Sequence, residues 1–119
     1  MLSEWRICTV GWILIGLTTM QPAHTQGITL DGVARSYSTS YFMRTLCPKF
    51  IAVNVGFAEK YGSDTLELGA KMFGKAETMS AVAAEIERRR AEVVATGEAA
   101  WCSYQRTTLQ GRGLLDLFK

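Results

Sequence analysis

Apolar positions recur with a helical period along most of this chain, and no stretch alternates with the two-residue period of a strand. Gly27 to Tyr37 holds two glycines and no sustained period, so 26–36 is predicted to be a flexible arm. Tyr37 to Leu46 predicts a short helix, with Ser38 or Ser40 as its cap. Pro48 suits the first turn of a second helix, where its missing N–H is not needed. Phe50, Val53, Phe57 and Tyr61 form that helix's stripe, and Gly62 is its expected stop. Asp64 with Glu67 resembles a capping box for a third helix, with Leu66, Ala70 and Phe73 on one face and Gly74 at its end. A longer helix from about Ala76 carries Met79, Val82, Ala83, Ile86, Val93 and Val94 on its apolar side. Gly97 interrupts it, and Glu98 to Leu109 forms the last helix before Gly111 and Gly113. Leu114, Leu115, Leu117 and Phe118 then make an apolar tail expected to fold back on the rest.

The expected fold is all-α, a small bundle of three to four helices around Phe50, Phe57, Phe73, Ile86 and Trp101. Connections of a few residues imply antiparallel neighbours.

The start of the chain reads differently. Ile7 to Leu17 is apolar throughout, and Thr18 to Gln26 is polar and broken by Pro22. Small residues before a cut, Ala23 and Thr25, complete the pattern of a secretory signal, although Glu4 offsets Arg6 at its charged end. Residues 1–25 are therefore assigned to a signal peptide, 26–36 to the arm and 37–119 to the helical domain. Cleavage is expected after Thr25, with Ala23 as the second choice. The other reading, a retained anchor, asks for roughly 20 apolar residues, and this run is shorter. No stable membrane span is expected after cleavage, and the expected location is periplasmic or secreted.

Export changes the meaning of the cysteines. Cys8 leaves with the leader, and Cys47 and Cys102 remain. Their separation is too wide for a redox CxxC pair, and two cysteines alone make a poor metal site. A structural disulfide is expected in an oxidising compartment. Closing a loop of this length restricts the unfolded chain by about 4 kcal/mol in the chain-entropy model.

Composition narrows the function by exclusion. The mature part keeps the formal charge of +2, too little to argue for nucleic acid. His24, the only histidine, leaves with the leader. That removes histidine-based triads, His-ligated metal sites and imidazole switches. Ser38, Ser40 and Ser103 then lack a histidine to activate them, and the carboxylates of Asp64, Glu67, Glu85 and Glu92 are accounted for by caps and exposed faces. No catalytic residue, metal or cofactor is assigned, and the chain is read as a non-enzyme.

Two features remain as candidate contacts. Arg88, Arg89 and Arg90 could meet an anion or a partner. However, Glu85 precedes Arg89 by four residues and Glu87 precedes Arg90 by three, and both spacings favour pairing along the helix. Successive helical residues also point about 100° apart. Leu114, Leu115, Leu117 and Phe118 are the candidate apolar contact. The aromatics Tyr41, Phe42, Tyr61, Trp101 and Tyr104 are read as core rather than as the lining of a groove.

The stretch Thr45-Leu46-Cys47-Pro48-Lys49-Phe50-Ile51-Ala52-Val53 is similar to the Cys-x-x-Phe-x-Ala-Val segment of the HdeA-type acid-stress chaperones. Those are small all-helical periplasmic proteins held by one disulfide. The resemblance implies a holdase that loosens in acid and binds unfolding clients. The segment around Cys102 and the arginine-rich helix depart from that family. The Trp-Cys-x-Tyr-Gln stretch resembles small exported proteins of unknown function instead. The leading expectation is thus an envelope-stress or client-binding protein. The alternative is an interaction subunit that docks on a protein or an anionic envelope polymer through Arg88–Arg90 or the apolar tail.

Overall fold

The computed structural model describes residues 27–119; the signal-peptide assignment to 1–25, with Cys8 and His24, lies outside them. Four helices follow in order: α1 (Leu30–Thr45), α2 (Val55–Phe73), α3 (Lys75–Thr96) and α4 (Glu98–Gly111). Single 3₁₀ turns follow α1, at Cys47–Lys49, and α4, at Leu115–Leu117. The all-α class and the four helices agree with the expected bundle of three to four, one fewer than the five helical stretches read along the chain.

The predicted arm is wrong over most of its length. Helix α1 starts at Leu30, and Thr29 caps it by accepting from the Gly32 N–H at 3.0 Å. Val33, Ala34, Ser38 and Phe42 recur on its buried side. Two of these are alanine and serine, so the stripe hardly registers as hydrophobic. The serines can be buried because the backbone takes their protons. Ser38 Oγ donates to the Arg35 carbonyl at 3.0 Å, and Ser40 Oγ to the Tyr37 carbonyl at 2.7 Å.

The two helices expected on either side of Gly62 are one. Pro48 opens only a 3₁₀ turn, and α2 begins seven residues later at Val55, capped by Asn54 on the Phe57 N–H at 3.2 Å. Asp64 and Glu67 cap nothing. They pair along the exposed side of α2 with Lys60 at 2.8 Å and Lys71 at 3.1 Å. Gly62 is not a stop but a contact point. A Cβ there would sit 2.7 Å from Ser40 Oγ and 3.4 Å from the Tyr37 ring. Gly69 is hemmed in on two sides: a Cβ would lie 2.8 Å from both Val33 on α1 and Thr78 on α3.

Gly74 and Gly97 each form a whole connection by themselves, at φ of +93° and +97°. Such values exclude most side chains, and glycine allows a helix to restart after a single residue.

The core sits where α1, the cystine turn, α4 and the tail meet. It contains Phe42, Met43, Cys47, Val53, Ala58, Val93, Trp101, Cys102, Leu109 and Leu117. Of the five predicted core residues only Trp101 is fully buried; Phe57 and Ile86 pack against the core's edge and Phe73 is half-buried. Phe50 is 42% exposed, because it lies in the irregular link rather than on a helix. The predicted disulfide is present: Cys47 and Cys102 are bonded, with Cα atoms 5.5 Å apart and no exposed surface. It ties the end of α1 to α4. The tail folds back as expected. The Asn54 N–H donates to the Leu117 carbonyl at 2.8 Å, and Val53 forms an isolated antiparallel bridge with Phe118.

Candidate functional site

The arginine run does not act as one patch. Arg88 pairs with Glu85 and, at 3.2 Å, with Glu92. Arg90 turns the other way, to Glu87 at 3.3 Å, with its guanidinium 5.8 Å from the centre of the Phe42 ring. Arg89 is the one drawn inward. Its side chain is 13% exposed and meets Glu85 at 3.1 Å. The two pairs anticipated from spacing, Glu85–Arg89 and Glu87–Arg90, both form.

Glu85 is the buried member of this group, 8% exposed in its side chain. Burial pushes its pKa up, but hydrogen bonds from Arg88 and Arg89, helped by their charges, outweigh that and hold it below the ordinary carboxylate value. It stays ionised through neutral pH and fixes Arg89 in place.

The tail is also split. Leu117 is buried, Leu114 and Phe118 are half-buried, and Leu115 is 62% exposed. Of the four residues offered as an apolar contact, only Leu115 stands clear. The other three are structural.

These two candidates nevertheless meet. A cavity of about 150 Å³ lies between α1, the first turns of α2, the middle of α3, the end of α4 and the tail. Phe57, Leu109, Leu114 and Leu117 give it apolar surface, and Arg35, Arg89 and Arg112 supply charge. No carboxylate lines it. A more open recess adjoins it and shares Arg35, Thr39, Arg89, Leu109 and Arg112 with it, so the two form one groove. That outer part adds Arg88, Glu92, Gln105 and the exposed Tyr104.

Each arginine reaches the groove for a local reason. Arg35 is one helical turn after Asp31, which it meets at 3.1 Å. Arg89 is set by Glu85. Arg112 follows α4, where its N–H closes the helix on Thr108 and Leu109 carbonyls. Among the described residues no carboxylate lies within 4.0 Å of Arg112. The hydroxyl protons of Thr39 and Ser40 are already given to the Arg35 and Tyr37 carbonyls. Side-chain donors in the inner cavity are therefore the guanidinium groups and the hydroxyls of Ser36 and Tyr61. Such a set suits an anion.

Sequence reasoning found Arg89, Leu114 and Leu117 and missed Arg35 and Arg112. Neither arginine belongs to a charge run, and only the packing of α1 and α4 around α3 brings them together. Among the described residues no group of His, Cys, Asp and Glu could hold a metal ion, and no helix is long and apolar enough to cross a membrane. No protein-family model, curated protein or solved structure matches the chain.

Proposed function

We propose that this chain is a non-enzymatic, exported binding module whose working surface is the arginine groove, and that it takes an anionic partner there. One observation carries this reading: Arg35, Arg89 and Arg112, from three separate elements, converge on the apolar inner cavity of the groove, which no carboxylate lines. Charge held against apolar surface is screened less than charge in open water, so each guanidinium counts for more. Catalysis is not favoured. Glu85, beside the groove, is held by Arg88 and Arg89 below the ordinary carboxylate pKa, which makes it a weak base. The buried disulfide suits an oxidising compartment.

The test is a titration of the oxidised protein followed by NMR. Hexanoate and hexyl phosphate should shift the resonances of Arg89, Leu109 and Leu117 in a saturable way, and uncharged hexanol should not. Hexanol shifting the same resonances with equal affinity would defeat the anionic assignment.

A second reading has its own observation. Leu68, Met72 and Met79 stand 40%, 49% and 47% exposed around the Gly74 turn. Exposed methionine is adaptable apolar surface of the kind that promiscuous binders use. Together with the loss of the Glu85 pairs in acid, it supports the client-binding expectation drawn from the HdeA-type resemblance. Suppression of a model client's aggregation at about pH 3, lost on Met72→Ser with Met79→Ser, would sustain it. Unchanged suppression by that double variant would remove it.

A further inference from the structure

We infer that the groove's ligand is a monocarboxylate joined to a compact apolar group, an inference that rests on the anion-binding reading above. Charge sets the valence. Arg35, Arg88, Arg89 and Arg112 line the groove, and Asp31, Glu85 and Glu92 pair with the first three. Among the described residues one positive charge is left over, and it belongs to Arg112. A single negative charge balances it. A dianion such as a phosphate monoester would have to displace Asp31 or Glu85 from an arginine to be matched.

Shape sets the head group. A guanidinium presents parallel N–H donors in a planar fork, which fits the two oxygens of a carboxylate. The Ser36 and Tyr61 hydroxyls sit in the same cavity as further donors. Size sets the tail. About 150 Å³ is room for a group the size of benzene, and Phe57, Leu109, Leu114 and Leu117 line that space. A leucine or phenylalanine side chain fits, or a chain of a few methylenes. A long acyl chain does not.

The same chemistry has two sources, the C-terminal carboxylate of a peptide ending in an apolar residue and a free short-chain acid. N-acetyl-leucine represents the first and hexanoate the second.

The experiment titrates the oxidised protein by calorimetry with N-acetyl-leucine, hexanoate, hexyl phosphate and acetate. At least one of the first two should bind at least about tenfold more tightly than acetate, which lacks the tail. It should also bind more tightly than hexyl phosphate. Tighter binding of N-acetyl-leucine assigns the peptide terminus, and tighter binding of hexanoate the free acid. Arg112→Gln should weaken the preferred carboxylate about tenfold, and Arg112→Lys, which keeps charge without the fork, should fall between. Both variants are checked by thermal melting, because Arg112 is exposed and its loss should leave the fold intact. Hexyl phosphate binding as tightly as the carboxylates, or more so, would overturn the monocarboxylate assignment and leave the groove an anion site. No binding by any of the four would overturn both.

Discussion

The two ends of α3 lie in differently built surroundings. Its C-terminal half faces the cystine, Trp101, the tail and the groove, a region packed by large side chains and a covalent link. Its N-terminal half joins α1 and α2 through Gly69, Val33 and Thr78, where the absence of side chains lets backbones approach. That glycine-built half leaves Leu68, Met72 and Met79 largely exposed. In the first region stability depends on filling space. In the second it depends on leaving space unfilled.

Reduction is the strongest way to break this contrast. Opening the Cys47–Cys102 bond should cost about 4 kcal/mol and lower the melting temperature of the domain by tens of degrees. Hydrogen exchange in reductant should rise first in α4, with α1 and α2 still protected around Gly62 and Gly69. Simultaneous loss of protection in all four helices would show that the two regions are one cooperative unit.

Next comes Glu85→Gln, which strands Arg89 in a largely buried position and should cost about 2 kcal/mol. The pH dependence has a definite sign. Glu85 has a lower pKa folded than unfolded, so the unfolded chain binds more protons at mildly acidic pH. Its contribution is complete above the ordinary carboxylate pKa and is lost as pH falls through the lowered value. Melting temperature against pH should therefore drop on the acid side in the parent and drop less steeply in Glu85→Gln. Parallel acid limbs in the two proteins would show that Glu85 carries no such linkage.

The two smallest effects form a matched pair. Gly69→Ala places a methyl 2.8 Å from Val33 and Thr78 and should destabilise by about 1–2 kcal/mol in spite of alanine's better helix propensity. Gly56→Ala has only Asn54 Oδ1 nearby, at 3.8 Å, and should stabilise by about 0.5 kcal/mol. Chemical denaturation measures both. Stabilisation by both would mean that the glycine half tolerates filling after all.

The same contrast explains what the sequence discloses. Large apolar residues at helical spacing reveal α3, α4, the tail and the disulfide's role, because burial of big side chains leaves a periodic trace. Helix α1 leaves little trace, since Ala34, Ser38 and Ser40 are buried without being hydrophobic. Gly62 misleads outright. Glycine is read as a helix stop because of its backbone freedom, yet here its lack of a Cβ is what matters. Half of the groove was visible, as Arg89, Leu114 and Leu117. The other half depended on tertiary packing that brings Arg35 and Arg112 to one place, and no local pattern encodes that.

The hydrogen bond from the Asn54 N–H to the Leu117 carbonyl has a thermodynamic corollary. Leu117 forms part of the groove's floor, and Asn54 caps α2. Whatever occupies the groove must therefore favour the docked tail by its own binding free energy. Occupancy becomes readable far from the arginines, as slower protease cleavage after Arg112 and slower exchange at the start of α2.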